Sequence, residues 1–587
     1  MRIVLDIETN KLFNPDIVHV VVVKDIDTLE VREFFEPREL EIYCHNVTLV
    51  VGHNIIGFDL IHLASLWGIT FPQARIIDTL ILSRLLKYRY DGGHSLEAWG
   101  VRLGFPKGNI DNFDDLTLAM IEYCIQDVEL NYKLYIFLMD TARLGKDCFK
   151  RAIEVEHQIA FICRDMHRDG FKFDISNALS LTKELQERVG IIDAELKAIW
   201  GDDFNANSPK QIVTKLNEAG WKPVNKTNGH IAFIKLRYPK EQEDREKFKK
   251  KRQVYKTVGW KVDEVNLATL PEDAPEASRK LTERLLLMGR IRTLEQWLKA
   301  YRPLTGSIHG IFDGIGTWTH RMAHREPNMG NVAAVKSIKY KSPELFAEAV
   351  KLGREMRALW IVESDEWLVG TDAEGIQLRI FAHLINDPEF TRSVTYGNKD
   401  DGTDPHTLNK VALQPYCKTR DDAKTFIYAF LLGAGNGKIA EILGVPLDDG
   451  NRAREAFIER YPGLAKLKQE RIPEDAKRGY FEGFDGRLVP CDSEHLMLAG
   501  YLQNGEACIM KHANVLWRQQ LDELEIKARQ VNFIHDEWQT AVRGERSAAE
   551  LVGRTQSDSI KRVGELFELQ CPLAGTYRVG RDWYQTH

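Results

Sequence analysis

The chain has eight cysteines in 587 residues, and no two of them form a C-x-x-C pair. Scattered singly, they favour reduced thiols over a disulfide frame or structural zinc. No apolar run comes near the roughly 18 residues that a membrane span requires, so no spanning segment is expected. Positive charge is not in excess either: 80 Lys and Arg stand against 86 Asp and Glu, a net charge of −6. That excludes a globally basic nucleic-acid binder, and any contact with a polyanion must rest on a local surface. Internal repeats and low-complexity tracts are missing too. Met1 leads directly into R-I-V-L-D-I-E-T, a strand-like run that leaves no room for a signal or transit peptide. The expected place of work is the compartment of synthesis.

What is present is ordinary globular composition, 43% hydrophobic and 28% charged, over a length that divides into roughly three or four domains. Residues 1 to about 145 alternate short β-branched runs (Ile3–Leu5, His19–Val23, Thr48–Gly52) with helical stretches, an α/β pattern. From about 150 to 305 helical periodicity dominates, as in Ala152–Arg168, Ser180–Trp200 and Ser278–Tyr301. Strands return from about 306, interrupted by a helical block near 405–475. Within the helical region Lys247–Lys256 carries six cations among ten residues, preceded by Glu241, Glu243, Asp244 and Glu246. A solvated helix face and a phosphate-backbone contact both fit that segment.

Two acid clusters carry the chemistry. In the first, Asp6 and Glu8 flank Ile7 on one strand, so both carboxylates point to the same face. Asp59 follows in G-H-N-I-I-G-F-D, and Asp127 closes Y-C-I-Q-D with Tyr123 four residues earlier on the same helical face. Four acids and a tyrosine make a hard, oxygen-rich site suited to two magnesium or manganese ions. One ion would generate hydroxide, the other would stabilise a leaving 3′ oxygen, and Tyr123 would orient the attacking water.

The second cluster joins Asp372, in W-L-V-G-T-D-A-E-G-I-Q-L-R, to Asp536, in V-N-F-I-H-D-E-W-Q, each inside a strand-like run. Carboxylates so placed can hold two divalent metals about 3.5–4 Å apart for in-line phosphoryl transfer. Between them R-D-D-A-K-T-F-I-Y sets Arg420, Lys424 and Tyr428 at i, i+4 and i+8 on one helix face. Such a face offers cations to a triphosphate and a ring to a base or sugar. Alone it would read as an amphipathic surface helix; between the two acid motifs it reads as half of a nucleotidyl-transfer site.

The first set, D-x-E, N-x-x-x-F-D and Y-x-x-x-D, resembles the three motifs of the DnaQ-like 3′–5′ exonucleases, with Asp78 in I-I-D-T-L-I-L-S-R-L fitting the same module. The resemblance implies that Asp6, Glu8, Asp59 and Asp127 bind the metals of an active proofreading domain. The second order resembles motifs A, B and C of the family A (DNA polymerase I-like) DNA polymerases, most of all the replicative polymerases of short-tailed bacteriophages. It spans essentially the whole chain, from D-I-E-T to D-W-Y-Q-T-H with its terminal His587, and includes T-W-T-H-R (Arg321), P-N-M-G-N (Asn328, Asn331), P-H-T (His406) and Y-L-Q-N-G (Gln503). By that likeness Arg321, Asn331, Gln503 and His535 contact DNA near the primer terminus, and Arg420, Lys424, His406, Tyr428 and Gln377 bind the incoming nucleotide. Asp372, Asp536 and the Ala373 carbonyl would hold the metals, with Glu537 nearby as a further catalytic acid.

Three departures from the family pattern stand out. Gln377 replaces the usual Glu five residues after the first aspartate, and Leu432 replaces the usual Tyr four residues after Tyr428. In relatives those two side chains hydrogen-bond each other, so the loss of both reads as one coupled change. Thirdly, the phage relatives that recruit thioredoxin carry a long insertion in the thumb, whereas here Gly201-Asp202-Asp203 runs straight into F-N-A-N-S. No thioredoxin partner is expected.

The fold expected is α/β and multidomain: a ribonuclease H-like exonuclease domain (1–145), a helical thumb (146–305), an antiparallel-sheet palm (306–395 and 476–587) and helical fingers (396–475). The expected function is template-directed DNA synthesis with 3′–5′ proofreading, using two Mg2+ per active site with Mn2+ able to substitute. Primer–template DNA and dNTPs are the expected partners, joined by a phage helicase-primase and single-strand-binding protein, in the cytoplasm of a bacterial host. A degradative exonuclease with a DNA-binding C-terminal half and a non-catalytic replisome scaffold are the competing classes. The Asp372, Lys424 and Asp536 set argues against both.

Overall fold

The computed structural model describes residues 1–110, 112–140, 147–220, 225–234, 242–267, 276–332 and 342–587. Strands β1 (Arg2–Thr9), β2 (Val18–Asp25), β3 (Val31–Phe34), β4 (Leu49–Gly52) and β5 (Arg75–Asp78) form one mixed sheet in the order β3-β2-β1-β4-β5. β1 runs antiparallel to β2 and parallel to β4. The period of two sorts β1 cleanly. Ile3, Leu5 and Ile7 enter one apolar layer with Val21, Val23 and Val50. Val4 enters the other, with Val20, Val22 and Cys124. Asp6 and Glu8 share the parity of Val4, so they face helix α1 (Leu118–Met139), the helix that carries Tyr123 and Asp127.

Helix α2 (Asp147–Asp169) leads out of this unit to two long helices, α3 (Ile175–Trp200) and α4 (Glu276–Ala300), which pack side by side. Arg188 on α3 reaches Glu283 on α4 at 3.0 Å. α3 stops at Trp200, Gly201 takes φ +101°, and the Phe204 ring meets Trp200 at 4.7 Å. The connection therefore folds back at once where an insertion would sit. The helical periodicity expected to reach Tyr301 ends at Ala300, and Tyr301 starts a two-residue strand. The basic run lies in the helix Gln242–Val258, where Lys250, Lys251 and Arg252 are exposed.

A second sheet is wholly antiparallel. β6 (Glu366–Ala373) precedes the helices α5 (Ile376–Ile385), α6 (Pro405–Ala412), α7 (Arg420–Leu431) and α8 (Glu494–Glu523). The chain then returns to β7 (Ala528–Ile534), β8 (Glu537–Arg543), α9 (Arg546–Leu566), β9 (Gly575–Gly580) and α10 (Trp583–Thr586). The strand order is β7-β8-β6-β9. α9 covers one face, where Gln556 accepts from Thr371 at 2.6 Å and donates to Thr540 at 2.9 Å. One continuous apolar core, from Val155 to Trp583, joins α2–α4, this sheet and the helical block. A buried ion cluster reinforces the junction: Glu156 on α2 accepts from Arg487 at 2.5 Å and from Lys511 on α8 at 2.6 Å. Removing any one partner would leave a charge unpaired in the interior. The α/β multidomain architecture read from the sequence is the one observed.

Candidate active sites

At the first site the fold gathers all four acids. β1 presents Asp6 and Glu8, and Asp59 opens a helical turn (Asp59–His62) where it accepts the Ile7 N–H at 3.1 Å. Asp127 comes from α1. Asp78 stands beside Asp59, whose carboxyl it helps to raise, and, buried, it accepts N–H bonds from Asn54, Ile56 and Leu80 and so pins the loop that delivers Asp59. Burial, then Asp59 and Asp127, push the Asp6 carboxyl well above the usual range. Burial and Asp6 push Glu8 up to about 9, and burial lifts Asp59 to about 8. Four carboxylates this close cannot all stay ionised without cations. A hard divalent ion fits the place, because Asp127 Oδ1 is buried with no hydrogen-bond partner among the described residues.

Lys107 supplies part of that missing charge. Its Nζ lies 2.6 Å from Asp127 Oδ2 and 4.8 Å from the centre of the Tyr123 ring. Sequence reasoning passed over it, since a lone lysine in F-P-K-G carries no periodic signal. Cys124 adds a thiol 3.8 Å from Asp6 Oδ2.

At the second site Asp372 is the last residue but one of β6. Asp536, expected inside a strand, instead occupies the two-residue turn His535-Asp536 between β7 and β8, with His535 at φ +51°. The turn brings the two motifs together: the Ala373 N–H donates to the Asp536 carbonyl at 3.0 Å. Asp372 is exposed at the cleft, yet burial of its carboxyl surroundings and then Asp536 push it up to about 8. Burial and Glu506 push Asp536 up to about 6. Glu537 is placed differently, with its carboxylate held by Gln539, Trp583 and His587.

The helix α7 stands as read, opened by a capping box between Thr419 and Asp422. Lys424 is exposed and has no ion-pair partner among the described residues. Arg420 is partly committed, since its guanidinium clasps Asp404, the N-cap of α6, at 2.8–3.2 Å. His406 sits on the first turn of α6 with its ring 6.1 Å from that of Tyr428. Burial and the Arg420 charge take it down to about 4, so it is neutral at physiological pH. Burial and then Asp536 raise the Tyr428 phenol, which places α7 within electrostatic reach of the acid turn.

Arg321, Gln503 and His535 also converge. Thr319 donates to Gln503 at 3.4 Å, and burial followed by the Arg321 charge lowers the His535 pKa. Asn331 lies in an exposed turn, its N–H donating to the Asn328 carbonyl at 3.2 Å, and no contact ties it to the other three.

A family model, DNA polymerase family A, matches residues 176–585. The chain belongs to DNA polymerase family A. A DNA-directed DNA polymerase of Enterobacteria phage T3 is 27% identical, over 92% of this chain and 92% of that one. That of Escherichia phage T7 is 26% identical over 100% of both. The thermostable DNA polymerase I of Thermus aquaticus is 25% identical, over 73% of this chain and 48% of its own. Among solved structures, the POL domain of Pol1 from M. smegmatis in complex with DNA primer-template and dNTP superposes with a TM-score of 0.76. It covers 100% of this chain and 95% of that one at 16% identity, which speaks for the fold. Among the described residues of this family A chain, no helix is long and apolar enough to cross a membrane.

The two departures from the family pattern fall on different helices. Leu432 is the C-cap residue of α7 and half exposed. Gln377, on the first turn of α5, donates from Nε2 to Glu506 Oε2 at 2.7 Å instead. Glu506 was invisible in the sequence because α8 is buried almost all round, so no periodicity singles it out.

Proposed function

We propose that this family A chain is a template-directed DNA polymerase that carries its own 3′–5′ exonuclease, each activity served by two divalent cations, Mg2+ or in its place Mn2+. The observation that carries the synthetic reading is the meeting of Asp372 with the His535-Asp536 turn beneath the Arg420–Lys424–Tyr428 face. On this reading residues 1–145 are the exonuclease, 146–305 the thumb, 396–475 the fingers, and the flanking segments of 306–587 the palm.

Asp372, Asp536 and the Ala373 carbonyl would hold the cations of the synthetic site, and Asp6, Glu8, Asp59 and Asp127 those of the exonuclease. Bound there, the ions lower the pKa of the attacking hydroxyl or water and neutralise charge on the leaving oxygen. Lys424, exposed and without an ion-pair partner among the described residues, meets the triphosphate. Arg420 keeps one edge on Asp404 and offers the rest of its fork to phosphate. His406 is neutral and gives a hydrogen bond without adding charge. Tyr428 and Gln377 flank the sugar. Arg321, Gln503 and His535 follow the primer terminus, with Asn331 on the same strand path. At the exonuclease Tyr123 orients the water, its phenol held by Lys107.

Primer–template DNA and dNTPs are the partners, with a phage helicase-primase and single-strand-binding protein as replisome neighbours and the bacterial cytoplasm as the setting. Primer extension on a mismatched 3′ end, with and without dNTPs, tests the reading. The mismatched nucleotide is removed in their absence and replaced by extended product in their presence. A chain that only degrades, or does neither, refutes it.

A further inference from the structure

Glu506 is a buried carboxylate, 2% exposed, on α8. Gln503, three residues earlier, shares its helix face. Two side chains close on Glu506. Gln377 donates Nε2 to Oε2 at 2.7 Å, and a guanidinium nitrogen of Arg321 lies 2.7 Å from Oε1. The second contact is a close ion pair, and among the described residues neither Glu506 Oε1 nor Arg321 Nε has an aligned hydrogen-bond partner.

This arrangement dictates the orientation of Gln377. An ionised carboxylate only accepts, so the Gln377 NH2 must face Glu506 and its carbonyl oxygen must face away. The rotamer and the amide flip of Gln377 are thus set by a residue 129 positions away in the chain. A glutamate at 377 would set two carboxylates against each other in a buried place, which like-charge repulsion and desolvation both oppose. The amide at 377 is therefore what Glu506 requires. The side-chain hydrogen-bond partner of Gln377 is Glu506.

We propose that Glu506 is the positioning residue for sugar selection, fixing Gln377 beside the nucleotide sugar and tying it, through Arg321, to the side of the cleft that follows the primer terminus. The proposal rests on the reading of Gln377 as a sugar-flanking residue.

The test is single-nucleotide primer extension by the full chain with dATP or ATP opposite the same template base, read as the ratio of the two kcat/KM values. Glu506→Ala lowers that ratio on the order of tenfold, the scale of one lost hydrogen bond to a charged group. Gln377→Glu lowers it as well, and the exchanged pair Gln377→Glu with Glu506→Gln, which again sets one carboxylate against one amide, recovers most of the loss. A Glu506→Ala ratio within twofold of the parent while Gln377→Ala lowers it would overturn the proposal, as would an exchanged pair no better than its worse single variant. If Gln377→Ala itself leaves the ratio unchanged, the sugar-flanking reading fails and this one with it. Should Glu506→Ala not fold once Arg321 is left unpaired, the exchanged pair decides alone.

Discussion

Asp372 and Glu537 sit directly opposite each other on β6 and β8, and their carboxylates have different neighbours. Asp372 is exposed at the mouth of the cleft. Glu537 is buried under α10, accepting from Gln539 and Trp583 at 2.6 Å and facing His587 Nδ1 at 2.8 Å. Burial pushes its carboxyl up, but the His587 and Gln539 bonds prevail and hold it below the usual glutamate value. Two acids facing each other across the strands, one from each motif, thus serve separate ends: one is offered to the cleft, and the other anchors the C-terminal helix to the sheet.

Glu537→Ala should therefore show chiefly as lost stability. It strands the Trp583 and Gln539 donors in the interior, at about 1–3 kcal/mol each. Asp372→Asn should abolish primer extension and leave the melting temperature in EDTA unchanged or higher, because it removes a repelled carboxylate. Thermal unfolding and primer extension on both variants check this. A Glu537→Ala protein as stable as the parent would mean that α10 is held by other contacts.

The two acid clusters stand on different sheets, so their activities should separate. Asp6→Ala with Glu8→Ala is expected to abolish 3′ degradation and to spare primer extension, and Asp536→Asn to do the reverse. Labelled-primer gels on both variants read the two outcomes together. Loss of extension in a folded Asp6/Glu8 double variant would sink the assignment of two independent sites.

Without divalent ions, stability should fall as pH rises. Glu8 titrates at about 9 and Asp59 at about 8 in the folded chain, against 4.5 and 3.8 for the free groups. Between those limits the folded state holds protons that the unfolded state has lost, so each upward step in pH favours unfolding. Cations displace those protons, and their benefit grows with pH. The melting temperature in EDTA is expected to drop from pH 6 to pH 9, with Mg2+ raising it more at pH 9 than at pH 6. Equal Mg2+ shifts at both pH values would contradict the clustered arrangement.

The sequence was legible where period and spacing carried the message. D-I-E on one strand face, Y-C-I-Q-D on one helix face and the Arg420–Lys424–Tyr428 ladder all stand as read, because period two and period 3.6 leave few alternatives. The turn at His535-Asp536 was hidden. Apolar residues run on both sides of it, and a histidine supplies the positive φ that glycine or asparagine usually signals. The fates of Gln377, Glu537 and Asp127 were not legible either. Each depends on a partner far along the chain or in a loop, namely Glu506, Trp583 and Lys107, and no local pattern encodes such a pairing.

Tyr428 offers the sharpest test of the α7 alignment. Its phenol makes no hydrogen bond among the described residues, its ring lies beside His406, and its field reaches Asp536. A nucleotide seated there would keep one hydrogen-bonding contact through its own 3′-hydroxyl. A dideoxynucleotide lacks that group, and the Tyr428 oxygen can stand in for it, whereas phenylalanine cannot. Tyr428→Phe should then lower dideoxynucleotide use by a factor on the order of 10, matching a lost hydrogen bond of about 1.5 kcal/mol. Incorporation of ordinary dNTPs should change much less, since their own hydroxyl makes the contact. Competition between each dideoxynucleotide and its dNTP, expressed as a ratio of kcat/KM, measures the effect. An unchanged ratio would mean that the phenol does not reach the sugar, and the face of α7 turned to the nucleotide would have to be a different one.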